Sequence, residues 1–304
     1  MRHMLYARLR MSLSLLACML TAMSLRAQTD APGVEAKYGN HSAFLRSFAG
    51  GNSLDFDTKG QPVGSPETLS WTLSGMQVEK ATATANELTL QGRREGVEIH
   101  PDGSMRRVSF GKVKLQIALS AGESADAAAA LVLAPDAAAL ASTLPPMWKP
   151  FADHVLLQEP VPAAPKSWPP CTTLAQVKSQ QKCQVALGDM TAPSLVHSVA
   201  PMFSAAARAK HYSASSFVSM IVDADGSPTA ITLQRPAGLG LDENAVAAAS
   251  QYRFHPALWR GQPVPVEAHI EVNFKYCSFV IDCMVAQHKA AAKQNQVKST
   301  PPTH

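Results

Sequence analysis

The clearest periodic pattern in the chain lies towards its C-terminal end. Between residues 264 and 276, apolar residues occupy every second position, and most of the intervening residues are polar. A period of two is typical of a strand that buries one face and exposes the other. Two shorter strands are predicted at 217–223 and 229–234, around an Asp-Ala-Asp-Gly turn, and a helix is predicted after residue 241. The predicted order is β-β-α-β, with an antiparallel sheet.

The first half of the chain is predicted to be a small, mostly-β domain over residues 36–120. Alternation at Val113, Leu115 and Ile117 indicates one strand, and Trp71 and Leu73 indicate another among about six. The Pro-Asp-Gly sequence after residue 100 has the chemistry of a turn. The overall fold class is therefore predicted to be α+β.

Residues 121–192 are predicted to join the two domains. Two alanine-rich segments, at 125–133 and 135–143, predict short helices, with an alanine-rich tether as the alternative. A proline-rich stretch follows and is expected to be an extended connector, because proline donates no backbone hydrogen bond. The C-terminal domain is placed at 193–284, and residues 285–304 are predicted to form a flexible tail.

The first 27 residues have the layout of a targeting segment. A basic start precedes an apolar run over residues 11–25 and a small residue, Ala27. A cleaved signal peptide is the first interpretation, since a helix of this run would fall short of the membrane core. An uncleaved inner-membrane anchor and a lipoprotein modified at Cys18 are the alternatives. All three place the rest of the chain outside the cytoplasm.

Charge argues against a nucleic-acid partner. The chain has 27 basic and 23 acidic residues, and four of the basic residues are arginines in the leader. Subtracting those four leaves 23 residues of each sign, so the rest of the chain is formally neutral. It therefore has no excess of positive charge with which to bind a nucleic acid.

The cysteines outside the leader are even in number, which in an exported chain predicts disulfide bonds. The simplest pairing joins neighbours along the chain, and a four-cysteine zinc site is the alternative, although no Cys-x-x-Cys spacing occurs. The disulfide candidates are Cys171, Cys183, Cys277 and Cys283.

Four motifs in order resemble the C-terminal domain of the TonB family of energy transducers. They are Val-Asp-Ala-Asp-Gly at 222–226, Leu-Asp-Glu-Asn-Ala at 241–245, Tyr-Arg-Phe-His-Pro-Ala at 252–257 and Gly-Gln-Pro-Val at 261–264. Each motif alone is common, but their order and spacing within about 193–276 make the resemblance specific.

The resemblance implies a function in energy-coupled transport across the cell envelope. A domain of this family in the periplasm grips an outer-membrane TonB-dependent receptor, which adds a strand beside the domain's last strand. An anchored chain would also meet the ExbB–ExbD motor. The alternatives are that the strand only closes its own sheet or forms a homodimer. The residues implied in partner binding are Val266, Ala268, His269, Ile270, Glu271, Val272 and Phe274.

No sequence motif points to an enzyme. The chain lacks a Gly-x-Ser-x-Gly elbow, a His-Glu-x-x-His motif and a P-loop, and no cofactor is predicted. His269 lies between Glu267 and Glu271 on the polar face of the last strand, where a solvated face is expected and a weak metal site is the alternative. A soluble periplasmic interaction module without energy transduction is the second functional hypothesis, and an enzyme in the β domain is the third.

Overall fold

The computed structural model describes residues 29–39, 42–161, 172–179 and 190–277, and it confirms a mixed α+β fold. The strands are β1 (Thr29–Asp30), β2 (Ala43–Leu45), β3 (Ser53–Phe56), β4 (Gly75–Ala83), β5 (Glu87–Ile99), β6 (Met105–Ala118), β7 (Leu133–Ala134), β8 (Met190–Thr191), β9 (Ser194–His197), β10 (Ala214–Val222), β11 (Pro228–Arg235), β12 (Arg253–His255), β13 (Ala257–Trp259), β14 (Gln262–Val264) and β15 (Val266–Phe274). The α-helices are α1 (Pro32–Tyr38), α2 (Ala125–Val132), α3 (Lys149–Phe151), α4 (Leu174–Lys178), α5 (Ala205–Ala209) and α6 (Asp242–Ala249).

The N-terminal half is built on one seven-stranded sheet. Its order is β3-β6-β5-β4-β2-β7, and β1 also pairs with β4. The long hairpin of β5 and β6 carries the predicted alternation, because Val113, Leu115 and Ile117 are buried in one core with Leu88 and Leu90. The predicted turn joins these strands, where the Asp102 carboxylate accepts a hydrogen bond from the Ser104 N–H.

The predicted strand at Trp71 and Leu73 was wrong. Residues Trp71–Leu73 form a 3-10 helix that begins after Ser70. The hydroxyl of Ser70 accepts a hydrogen bond from the Thr72 N–H at 3.3 Å, which satisfies the first turn locally. Trp71 is thereby turned into the interior, where it is 1% exposed.

The segment after β6 is helical in its alanine-rich part, where short helices were expected, and also from Pro146 to Leu156, where an extended connector was expected. α2 occupies the first alanine-rich stretch, and a 3-10 helix, Ala138–Thr143, occupies the second. A 3-10 turn (Pro146–Trp148), α3 and a π-helical turn (Ala152–Leu156) come next. Pro146 and Pro150 stand in the first turns of these short helices, where a missing N–H costs little. The prolines at 162, 165, 169 and 170 lie outside the described residues.

The C-terminal half contains a three-stranded antiparallel sheet in the order β11-β10-β15. α6 packs on β10 and β11, and buries Ala245 and Ala249 against Val218 and Leu233. Two smaller groups of strands flank this sheet: β12 pairs with β9, and β13 pairs with both β14 and β8.

One hydrophobic core joins the two halves. Trp71 from the N-terminal half lies 5.3 Å from Trp148, centroid to centroid, and both belong to a cluster that includes Val218 and Leu233 of the C-terminal sheet. Backbone hydrogen bonds cross the same junction, since the Ile99 N–H donates to the Ala237 carbonyl at 2.9 Å. The predicted domain boundaries stay a prediction, but side chains from both sides of the 121–192 segment share one core.

Candidate functional site

All seven residues predicted to bind a partner lie on β15, and β15 is an edge strand. Its inner side pairs with β10 over nine consecutive residues, from Ala214 opposite Phe274 to Val222 opposite Val266, without a register shift. Within the described part of the chain, no strand pairs with its outer side. An edge strand carries backbone N–H and C=O groups that an extended chain can pair with.

The side chains of β15 divide into an anchoring part and an accessible part. Val272 and Phe274 are each 2% exposed, and the Phe274 ring lies edge-on to Phe203 at 5.9 Å. These two residues fix the end of the strand to the core. Ala268 and Ile270 are half-buried at the margin of that core, so they remain within reach of a neighbouring strand.

The opposite face of β15 is polar and exposed. The Ser219 hydroxyl of β10 donates to Glu267 Oε1 at 2.7 Å, and His269 Nε2 lies 3.8 Å from the same oxygen. The Ser215 hydroxyl donates to the Asn273 side-chain oxygen at 2.7 Å. Among the residues that the structure describes, no three histidine, cysteine or acidic side chains are grouped so that they could hold a metal ion.

The other edge of this sheet, β11, is irregular. Its pairing with β10 has two register shifts, and Ala230 has a positive φ of 48°. Pro228 at its start has no N–H, and the strand packs against α3 and the turn at Pro146–Trp148. Bulges, proline and covering elements disfavour the addition of a strand. Of the two edges, β15 is therefore the one with regular, accessible geometry.

Sequence reasoning missed the position of Asp242, which it assigned to an ordinary helix N-terminus. Its side chain is fully buried and its carboxylate accepts three hydrogen bonds, from the Ser216 hydroxyl at 2.6 Å and from the Ala237 and Gly238 N–H groups at 2.7 Å each. Burial raises the pKa of Asp242 to about 7, and these hydrogen bonds act in the opposite direction. Neither spacing nor composition distinguishes this carboxylate from the one beside it.

Asp242 fixes β10 to the loop that contacts the N-terminal sheet. Ser216 lies on β10, and Asp242 connects it to the loop that begins at Ala237. In the same loop, the Leu239 N–H donates to the Val97 carbonyl at 2.8 Å. Next to it, Glu243 accepts a hydrogen bond from the Trp148 indole at 3.2 Å, and burial raises the pKa of Glu243. Of these two adjacent acids, Asp242 thus links β10 to the loop, and Glu243 links α6 to Trp148 at the junction of the two halves.

A groove of about 480 Å³ lies between the β5–β6 turn and the C-terminal sheet, with Arg235 and Glu271 among its lining residues. Tyr212 also lines it, and its hydroxyl donates to the Ala237 carbonyl at 3.0 Å. Burial raises the pKa of Tyr212 to about 12, which keeps the phenol protonated at neutral pH. This tyrosine is therefore suited to bracing the junction rather than to acting as a base.

Several predicted features fall outside the described residues. These include the leader 1–27, the tail from 285, Cys171, Cys183 and Cys283. Cys277 is described and lies three residues after the end of β15, but the pairing of the four cysteines stays a prediction. Searching the described residues alone, we found no helix with the length and apolar character needed to span a membrane.

Comparison with known proteins identifies the domain that contains this edge. Residues 199–276, about a quarter of the chain, match the family model of the Gram-negative bacterial TonB protein C-terminal domain. The resemblance drawn from the sequence motifs is thereby confirmed over this region. No curated protein matches the chain.

Proposed function

We propose that this chain is a TonB-like protein of the periplasm whose C-terminal domain binds outer-membrane receptors by strand addition, in energy-coupled transport across the envelope. The observation that supports this most strongly is the outer edge of β15, which is regular over nine residues and unpaired within the described chain. The partner is a TonB-dependent receptor, and its extended segment pairs with the backbone from Ala268 to Val272. No catalytic step, cofactor or metal is part of the proposal.

The side chains of β15 support backbone pairing as the main source of affinity. Val272 and Phe274 are committed to the core, so they hold the strand in place rather than contact the receptor. Val266, Ala268 and Ile270 are half-buried, and a neighbouring strand would cover their remaining surface. Main-chain hydrogen bonds then provide affinity, and the alternate side chains provide specificity.

A soluble periplasmic interaction module without energy transduction is the second candidate. It is favoured by the shared core, because Trp148 and Phe151 fold the segment after α2 against both halves. A chain that couples an inner-membrane motor to the outer membrane needs reach, and the segment up to residue 156 is compact rather than extended. In this candidate the same edge binds its partner, but no motor acts on the chain.

Site-specific photo-crosslinking in the native envelope tests the proposed edge. A photoreactive residue at His269, exposed on β15, is expected to crosslink to an outer-membrane receptor. The matched control carries it at Thr229, which is also exposed but lies on the opposite edge strand, β11. Equal crosslinking at both positions, or no receptor at either, would contradict strand addition at β15.

The mass and location of the mature chain decide between the two candidates. An N-terminus at Gln28 in the soluble fraction would support the released module. An intact Met1 in the inner membrane, together with co-purification of ExbB–ExbD, would support the transducer. A lipid-modified Cys18 would instead indicate a lipoprotein.

A further inference from the structure

The exposed face of β15 presents a row of polar side chains that includes two carboxylates. Because side chains alternate along a strand, Glu267, His269 and Glu271 point to the same face, and all three are exposed. Asn273 continues the row without charge, and Lys275, just beyond the strand, is its one fixed cation. Two carboxylates therefore lie along the middle of the edge at which a partner strand would pair.

These carboxylates are only weakly compensated from within the sheet. Glu267 accepts a hydrogen bond from the neutral Ser219 hydroxyl, and His269 approaches it at 3.8 Å. Across the sheet, Glu271 is paired with Phe217 on β10, and Phe217 is paired with Arg235 on β11, whose guanidinium lies over the Phe217 ring at 4.1 Å. No described ion pair joins Arg235 to Glu271 or involves Glu271 at all.

The other face of the same strand is apolar and continuous with the core. Ala268 and Ile270 pack at the margin of the large cluster and are half-buried. A strand added at the edge would place every second side chain beside these residues. Its apolar side chains would extend the core, and the alternate ones would stand beside Glu267, His269 and Glu271.

We propose that the β15 edge selects an extended partner segment in which Lys or Arg alternates with apolar residues. The inference rests on the proposed strand addition and adds the chemistry of the partner to it. Opposite charges on directly opposed residues of neighbouring strands stabilise the pair, and like charges destabilise it. Backbone pairing alone does not discriminate between sequences, so this row supplies the selectivity.

The same charges disfavour one of the registers in which a second copy of the chain could pair with β15. If two β15 strands paired antiparallel about His269, Glu267 of each copy would stand opposite Glu271 of the other. Two like-charge pairs would then oppose the dimer. A basic segment avoids this repulsion, whereas another β15 edge creates it in that register.

The test compares two capped five-residue peptides that differ only in charge. Both carry three valines at alternate positions, and the two residues between them are lysine in one peptide and glutamate in the other. By fluorescence anisotropy with the purified chain at low salt, we expect the lysine peptide to bind about fivefold tighter or better. The difference should shrink at high salt, because exposed charges are screened.

Charge-reversal variants assign the preference to these residues. The double variant Glu267→Lys/Glu271→Lys is expected to prefer the glutamate peptide. The control Asp30→Lys/Glu67→Lys makes the same change in net charge at exposed positions of the N-terminal half and should keep the original preference. Circular dichroism and thermal melting verify that both variants fold.

Each outcome decides the inference. Equal binding of both peptides, or a preference that reverses in the Asp30/Glu67 control as well, would overturn the selectivity and leave strand addition standing. If neither peptide binds and His269 fails to crosslink in the envelope, strand addition itself is overturned. Self-association of the chain that blocks the lysine peptide would assign the edge to a second copy and would also overturn the inference.

Discussion

One strand in each half of the molecule has an outer side that no described strand covers completely, and the two differ in how that side is protected. One is β15 in the C-terminal sheet, and the other is the first part of β6, residues 105–113, in the N-terminal sheet. β3 covers β6 only from Lys114 to Ile117, so no described strand pairs with the outer side of β6 before that point. An exposed edge invites pairing unless the sequence blocks it.

The β6 edge is blocked in three ways. Lys210 donates a hydrogen bond to the Ser109 carbonyl at 2.6 Å and thereby occupies an acceptor of the edge. A register shift in the pairing with β5 disturbs the regular strand near Phe110. Arg107 and Lys112 add exposed positive charge along it. The β15 edge has no comparable bulge and keeps apolar side chains at its margin. The β6 edge is therefore protected against the addition of a strand, whereas the β15 edge is accessible to one.

Breaking the regular edge should have the largest effect. Ile270→Pro removes a backbone donor from the middle of β15, and we expect receptor crosslinking and peptide binding to fall below detection. Circular dichroism checks that the sheet persists. Thr229→Pro on the already irregular β11 is the matched control and should retain binding. A folded Ile270→Pro protein that still binds its partner would refute edge pairing.

Disrupting the core shared by the two halves should have the next largest effect, a loss of stability. Trp148→Ala removes a fully buried indole from the cluster that joins the halves, and we expect it to lower the free energy of unfolding by about 3–5 kcal/mol. Both halves should melt together in calorimetry. Trp259→Ala is the control, since Trp259 lies in a small separate cluster with Val177, Ala257 and Val264, and a smaller loss is expected there. A Trp148→Ala loss confined to one half would mean that the junction is not cooperative.

The buried carboxylate that supports β10, the partner of β15, should make stability depend on pH. Because the pKa of Asp242 is raised to about 7 in the folded state, its contribution is fully present below the ordinary value of 3.8 and is lost as pH rises towards 7. Each unit by which folding raises the pKa corresponds to about 1 kcal/mol in the free energy of unfolding. Urea unfolding across pH 4–8 measures this, and Asp242→Asn should flatten the dependence.

Asp225→Asn is the matched control for the pH experiment. Hydrogen bonds from Ser227 hold the pKa of Asp225 below its usual value, so its contribution has the opposite sign and is lost as pH falls. In the Asp225→Asn variant, the free energy of unfolding should still decrease towards pH 7 as it does in the wild type. A wild-type curve that rises from pH 4 to 7 because of Asp242 would contradict the assigned direction.

Substituting the lysines that protect the β6 edge should have the smallest effect of these changes, namely weak self-association. Lys112→Thr/Lys210→Met removes one edge charge and the hydrogen bond to Ser109, and we expect weak self-association visible by light scattering at high concentration. The control Lys37→Thr/Lys59→Met alters exposed lysines away from this edge and should leave the chain monodisperse. Identical scattering by both variants would mean that neither lysine guards the edge.

Local patterns were sufficient to predict the longer strands β5, β6, β10, β11 and β15, but not most of the short ones. The alternation in β6 and β15 was visible because each strand buries one face, so the sequence repeats the geometry of the strand. Trp71–Leu73 misled the same reasoning, because a three-residue stretch is too short for a period and the Ser70 hydroxyl decides its conformation. The proline-rich turns after residue 145 misled it as well, since proline is compatible with the first turn of a helix as well as with extended chain.

The sequence by itself determined that the chain has an α+β fold and that its last long strand has one polar and one apolar face. It also determined that the region about 193–276 contains a TonB-like C-terminal domain, which the family model matches over residues 199–276. These properties depend on residues close together in the chain. Only the tertiary structure decided that Trp148 joins two halves in one core, that Asp242 is buried, and that β15 lies at an open edge beside β10. Burial and strand neighbours depend on contacts between residues far apart in sequence, and a local pattern carries no record of which distant surface covers it.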